Sequence, residues 1–302
     1  MPPQAEPAPS LPSQLIGALY TSRPGLWPTQ LWFYLLPLGG RRLLDEGTFW
    51  LGAVYVMFPL SHVLYGWNDL ADYQTDQLNP RKGNLLFGAR MSQEELARLP
   101  RQLLLVQAPF LLLLGWAIGP KLLAWVAAGV AVNYAYNGKR WNLKGRPGWD
   151  LLCQSGYLLV FVLSSWLNDV PMLPWPAMVF GALFAMHAHL FHEVTDIEPD
   201  ALAGRRTTAV AIGVRWSKLI VAALLLTECV IVAAYFQSAV VAGFLAAAGV
   251  SFAADALLRP HRVISEKTLR AVFLTWNLVV LASMYWIWRD AIFAQSAVTP
   301  AN

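Results

Sequence analysis

Charge is sparse in this sequence. Asp, Glu, Lys and Arg make up 13% of 302 residues and hydrophobic residues 57%, where an average soluble domain is about one quarter charged. That balance excludes an ordinary soluble domain and a disordered chain, and it points to a bilayer as the solvent. Cysteine is nearly missing, with only Cys153 and Cys229. Both fall inside apolar runs and lack metal spacing, so they read as small buried hydrophobes rather than as disulfide or thiolate ligands. No basic stretch outside the apolar runs is interleaved with stacking aromatics. The net charge of +4 is therefore assigned to membrane-facing loops, and nucleic-acid binding is not expected. Residues 1–13, rich in Pro and Ala, carry neither a signal-peptide core nor an Arg-rich transit pattern. They are expected to form a short disordered tail ahead of a single domain over 14–302.

What the chain has in plenty is apolar runs near the length needed to cross about 30 Å of hydrocarbon. Nine are read, at 26–42, 48–67, 102–119, 121–137, 150–168, 174–193, 216–236, 238–257 and 270–289. The expectation is an all-α, polytopic membrane protein. Connections after the third, fifth and seventh runs are nearly bare, whereas 68–101, 138–149, 194–215 and 258–269 are long and polar. If the chain starts on the side of the long loops, that side holds 18 of the 22 Lys and Arg residues, leaving Arg41, Arg42, Lys121 and Arg289 opposite. Positive charge concentrates on the cytoplasmic side. The N-terminus and long loops are therefore expected in the cytoplasm and the C-terminus outside, in a plasma (inner) membrane.

Two segments at the ends of the second and sixth runs share an acid spacing: Asn68-Asp69-x-x-Asp72-x-x-x-Asp76 and His192-Glu193-x-x-Asp196-x-x-x-Asp200. At about 100° per residue, each set falls within one arc of roughly 100° on a helix. Carboxylates on one face repel each other, more so where water is scarce, so cations are expected between them. Two facing carboxylate clusters suit a hard divalent ion, and Mg²⁺ is commonly held together with substrate phosphate. The same loops supply Arg81, Lys82, Lys139, Arg140, Lys144, Arg146, Arg205 and Arg206, cations that stabilise a departing diphosphate. A diphosphate made into a leaving group leaves a carbocation, and an apolar chamber implies that its organic part is a hydrophobic chain. The repeated acid spacing also suggests a weak internal duplication.

At these residues the chain resembles the UbiA-type intramembrane prenyltransferase superfamily. Asn68-Asp69-x-x-Asp72-x-x-x-Asp76 is similar to that family's first Asp-rich signature and Asp196-x-x-x-Asp200 to its second. Tyr136, Leu143 and Lys144 match a third stretch, in which two prolines and an arginine are replaced by Lys139, Arg140 and Asn142. Arg23-Pro24-x-x-Trp27, Ala203-Gly204-x-x-Thr207 and the nine runs also fit. The resemblance implies nine transmembrane helices around a central cavity, capped on the cytoplasmic side by loops or helices. It implies Mg²⁺ as cofactor, an isoprenyl diphosphate donor, and a lipophilic acceptor: a quinone-precursor ring, a tetrapyrrole or a carotenoid. The segment Asn79-Pro80-Arg81-Lys82-Gly83 looks closer to carotenoid-elongating members.

On this reading Asn68, Asp69, Asp72, Asp76, Asp196 and Asp200 form the metal set, and Asp72, Asp196 and Lys144 are catalytic. Asn68, Arg81, Lys82, Tyr136, Arg140, His192 and Glu193 contact substrate. Glu193 is an intramembrane carboxylate, costly unless it serves the metal or orients the acceptor. His189 and His192 share the acid face, whereas His187 reads as a satisfied core histidine and Glu198 as solvated. Tyr65, Trp67 and Tyr73 flank the first cluster and offer ring faces to a cation. Ser92 and Glu95 form a capping box ahead of the third run. Two other functions fit the same residues: a membrane terpene cyclase that quenches the cation internally, and a cation-coupled transporter.

Overall fold

The computed structural model describes residues 11–41, 43–79, 82–85 and 87–294. Among them all regular structure is helical, apart from one isolated antiparallel bridge between Asn84 and Gly88. Helix α1 (Leu11–Thr21) passes through a 3₁₀ turn into α2 (Trp27–Leu35), which ends in a second turn around Pro37. Residues 1–10 of the expected tail lie outside the described residues, and 11–13 belong to α1. Helix α3 (Gly47–Tyr55) joins α4 (Ser61–Leu78) through a π turn over Val56–Leu60, where Pro59 removes a backbone donor from the ladder. Then follow α5 (Gln93–Ile118), α6 (Lys121–Asn137), α7 (Trp149–Leu152), a 3₁₀ stretch Cys153–Leu158, and α8 (Leu159–Leu167). The chain closes with α9 (Trp175–Leu202), α10 (Thr208–Ile231), α11 (Ala239–Leu258) and α12 (Glu266–Arg289).

Among the described residues, seven helical segments are long and apolar enough to cross a membrane. They correspond to all the expected runs but 26–42 and 121–137. The first of these is cut short at Pro37, and the second forms α6, of 17 residues. Short as it is, α2 sits at the heart of the bundle. Its Trp32, Phe33 and Tyr34 are buried, with Phe33 stacked on Phe161 at 5.0 Å and Trp32 on Phe184 at 5.3 Å. Outward-facing Leu112, Trp116 and Leu123 are exposed, an apolar surface of the kind lipid covers.

The acid segments beyond the second and sixth runs are helical, as their shared arcs imply, although they fall within connections counted as polar loops. Helix α4 continues through Asp76 to Leu78, and α9 runs through Pro199 and Asp200 to Leu202. The helices thus outlast the apolar runs, because hydropathy marks where an apolar face stops and not where the hydrogen-bond ladder stops. The capping box forms, with Glu95 N donating to Ser92 Oγ at 3.2 Å and Ser92 N to Glu95 Oε2 at 2.8 Å. It opens the spanning helix α5 itself rather than a separate helix before it.

Candidate active site

Because α4 and α9 extend past their apolar runs, their last turns meet at one end of the bundle. Asn68, Asp72 and Asp76 from α4, with Asp196 and Asp200 from α9, line one end of a cavity of about 660 Å³. Most of these acids are set against basic groups, some from distant parts of the chain. Lys144, held by the turn after α6, contacts Asp72 and donates to Asn137 Oδ1 at 3.1 Å. Burial pulls its ammonium below the usual lysine range, against the opposing pull of Asp72. Arg205 also contacts Asp72 and lies 3.6 Å from Asp200. Lys82 bridges Asp69 at 2.7 Å and Asp76 at 2.8 Å. Arg23 reaches Asp69 at 3.1 Å, and Asn79 donates to Asp196 at 3.2 Å.

Arg205 owes its position to a helix ending. Gly204 at φ 69° closes α9, and Arg205 N donates back to Asp200 O at 2.9 Å, the long-range bond of a Schellman cap. The turn aims the guanidinium back at the acids of both helices.

Asp69 departs from its neighbours. It is buried behind the cavity wall, engaged with Arg23 and Lys82, and does not line the chamber. Glu193 lines the cavity, yet its Oε2 accepts from Ala209 N at 3.1 Å. Asp150 accepts from Thr208 N and Thr208 Oγ1, each at 2.5 Å. Two carboxylates thus close the first turn of α10, where unpaired N–H groups attract negative charge. Oε1 of Glu193 lies 3.1 Å from His189 Nε2, which is 3.3 Å from the Tyr136 hydroxyl. His192 and Tyr136 line the cavity.

Other expected contacts fall elsewhere. Arg140 is exposed in the turn after α6 and is not among the cavity-lining residues, and Lys139, Arg146, Arg206 and Glu198 are exposed too. Arg81 lies outside the described residues. His187 contacts Glu228 at 2.6 Å, away from the cavity. The Tyr65 ring already carries a cation, the Arg23 guanidinium at 4.4 Å.

Among the described residues no three of His, Cys, Asp and Glu converge closely enough to hold a metal ion. The oxygen donors nonetheless share one cavity end and are of the hard kind that Mg²⁺ takes. The Lys and Arg groups among them suit phosphate oxygens. A set held this way fits a metal that arrives with a diphosphate better than a metal alone.

A model of the UbiA prenyltransferase family matches residues 26–288. The chain belongs to that family. As a UbiA member it is an integral membrane protein and an enzyme of prenyltransferase type. A lycopene elongase/hydratase of Corynebacterium glutamicum is 29% identical over 224 residues, 71% of this chain and 75% of that protein. A lycopene elongase/hydratase of Haloferax volcanii is 32% identical over 163 residues, 53% of this chain and 52% of that protein. Among solved structures, a UbiA homologue from Archaeoglobus fulgidus bound to GPP and Mg²⁺ superposes with a TM-score of 0.66 at 20% identity, covering 92% of this chain and all of that one. At that identity the likeness speaks for the shared UbiA fold alone.

Several groups of this UbiA site escaped the sequence reading. Arg205 reads from sequence as a diphosphate-stabilising loop cation but not as the partner of Asp72 and Asp200, Arg23 only as part of a signature, and Asn137 not at all. The Gly204 after α9 was the available signal for Arg205. Nothing local marks Asn137, since a single amide inside an apolar run is silent until its neighbours are known.

Proposed function

We propose that this enzyme transfers an isoprenyl group from its diphosphate to the end of a linear carotenoid of lycopene type. The observation that carries the reading is the continuity of the cavity. Its acid-and-cation end passes directly into an apolar chamber walled by Leu60, Val63, Leu64, Leu111, Trp125 and Val126. A diphosphate suits the first part and a prenyl chain the second. Leu104 and Val130 line the same chamber while being 68% and 48% exposed. The wall between α5 and α6 therefore borders the lipid side, where a long polyene can offer one end without being enclosed. The lycopene elongase/hydratase names of the relatives support this acceptor over a quinone ring or a tetrapyrrole.

Asn68, Asp72, Asp76, Asp196 and Asp200 would hold Mg²⁺, which neutralises charge on the departing diphosphate, with Asp69 supporting them through Lys82. Lys144, Arg205, Lys82 and Arg23 turn from carboxylate to phosphate oxygens and stabilise the leaving group as the allylic C–O bond breaks. The apolar walls keep water from the allylic cation until a double bond of the acceptor attacks it. Residues 14–302 act as one domain, in a plasma membrane with the acid-bearing end toward the cytoplasm.

Purified protein incubated with Mg²⁺, geranyl or dimethylallyl diphosphate and lycopene is expected to yield a prenylated polyene by mass spectrometry. Chelation of the metal, Asp72→Ala or Asp196→Ala should each reduce turnover at least a hundredfold. Diphosphate release with a cyclic hydrocarbon and no need for acceptor would replace this reading with a terpene cyclase. Full activity in both variants would remove the two-cluster mechanism.

A further inference from the structure

Next to the acids and cations, the cavity wall carries a small polar island. Gln30 of α2, Tyr65 of α4 and Tyr157 of the 3₁₀ stretch before α8 all line the chamber. Gln30 is only 3% exposed and lies beside the Tyr65 phenol, and its Oε1 meets no donor among the described residues. The Tyr65 and Tyr157 hydroxyls stand 3.4 Å apart, well beyond the usual O–H···O spacing of about 2.7–2.8 Å. An unmatched buried acceptor beside two loosely paired hydroxyls is a site for a small molecule that both donates and accepts. Water meets that need with two to four polar partners. Tyr65 lies one helical turn before Asp69, and its ring carries the Arg23 guanidinium that pairs with Asp69. The island therefore sits at the seam between the acid-and-cation end and the apolar chamber.

We propose that Gln30, Tyr65 and Tyr157 hold the water that ends the reaction, a step that rests on the carotenoid-acceptor reading. When the terminal double bond of the polyene attacks the allylic cation, a new C–C bond forms and the positive charge moves to a tertiary carbon of the acceptor. The oxygen of the held water gives a lone pair to that carbon, forming a C–O bond. The proton it sheds passes to the diphosphate released in the first step. The products are a prenylated tertiary alcohol and hydrogen diphosphate, with no change of oxidation state overall. Without a held water, the same cation loses a neighbouring proton to the diphosphate and leaves an alkene. The three side chains thus set the partition between alcohol and alkene.

The test is prenyl transfer to lycopene in ¹⁸O-labelled water, comparing wild type with Gln30→Met, Tyr65→Phe and Tyr157→Phe. These changes keep bulk and ring and remove the polar atoms. Wild type is expected to place one ¹⁸O in the prenylated product, and the variants to shift the alcohol-to-alkene ratio at least tenfold toward alkene. That ratio is unaffected by loss of folded protein. A wild-type product that is prenylated but unlabelled, or a ratio unchanged in all three variants, overturns the proposal while leaving the prenyl-transfer reading in place. Loss of all product in every variant overturns it by assigning the island to substrate binding instead. Absence of any prenylated polyene from the wild type overturns the acceptor reading, and the water site with it.

Discussion

Asp72 is held by two cations from separate connections of the chain, Lys144 and Arg205. That arrangement makes the individual cation testable without unfolding the site. In Lys144→Met, Asp72 retains Arg205 and the fold retains its packing, but the diphosphate loses one charge-assisted partner. Such a partner is worth about 1.5–3 kcal/mol, so affinity for a non-reactive thiodiphosphate analogue should fall roughly 10- to 150-fold by calorimetry. Unchanged affinity would mean that Lys144 only supports Asp72. Asp69 illustrates the opposite case. Buried beneath the wall between Arg23 and Lys82, it organises cations instead of meeting the cavity.

Among the elements, the start of α10 shows how intramembrane acids are used structurally. Asp150 accepts from the Thr208 amide and hydroxyl and from Leu151 N, while Glu193 takes the next amide, Ala209 N. Removing Asp150 leaves buried donors unpaired, a cost of about 1–3 kcal/mol. Asp150→Ala should lower the thermal midpoint in detergent while the cavity-lining acids stay in place. A midpoint equal to wild type would show that water or Glu193 takes over. Five residues on, Gly213 at φ 80° breaks the helical path of α10, a conformation open to glycine at no steric cost.

For the molecule as a whole, the asymmetry of Lys and Arg predicts its orientation. In a Cys153→Ser, Cys229→Ser background expressed in a bacterial inner membrane, Asp290→Cys follows α12 and Glu198→Cys lies on the exposed face near the acid end. A membrane-impermeant maleimide applied to intact spheroplasts should label Asp290→Cys, and Glu198→Cys only after permeabilisation. The reverse pattern would invert the topology.

Helicity, membrane residence and the two acid faces were legible in the sequence, because hydropathy and a spacing of three and four residues are local properties that survive whatever the chain packs against. The same locality explains what was not legible. Where α4 and α9 end depended on backbone hydrogen bonding and on caps such as Gly204, which carry the acids beyond the apolar runs. That Asp69 turns to Arg23, that Glu193 closes α10, that Arg140 stays outside, and that Tyr65 meets Tyr157 beside Gln30 were all decided by packing between residues far apart in the chain. Sequence alone determined which charges and helices the protein has. Tertiary structure decided which of those charges face one another, because ion pairs and buried hydrogen bonds depend on distances that only packing sets.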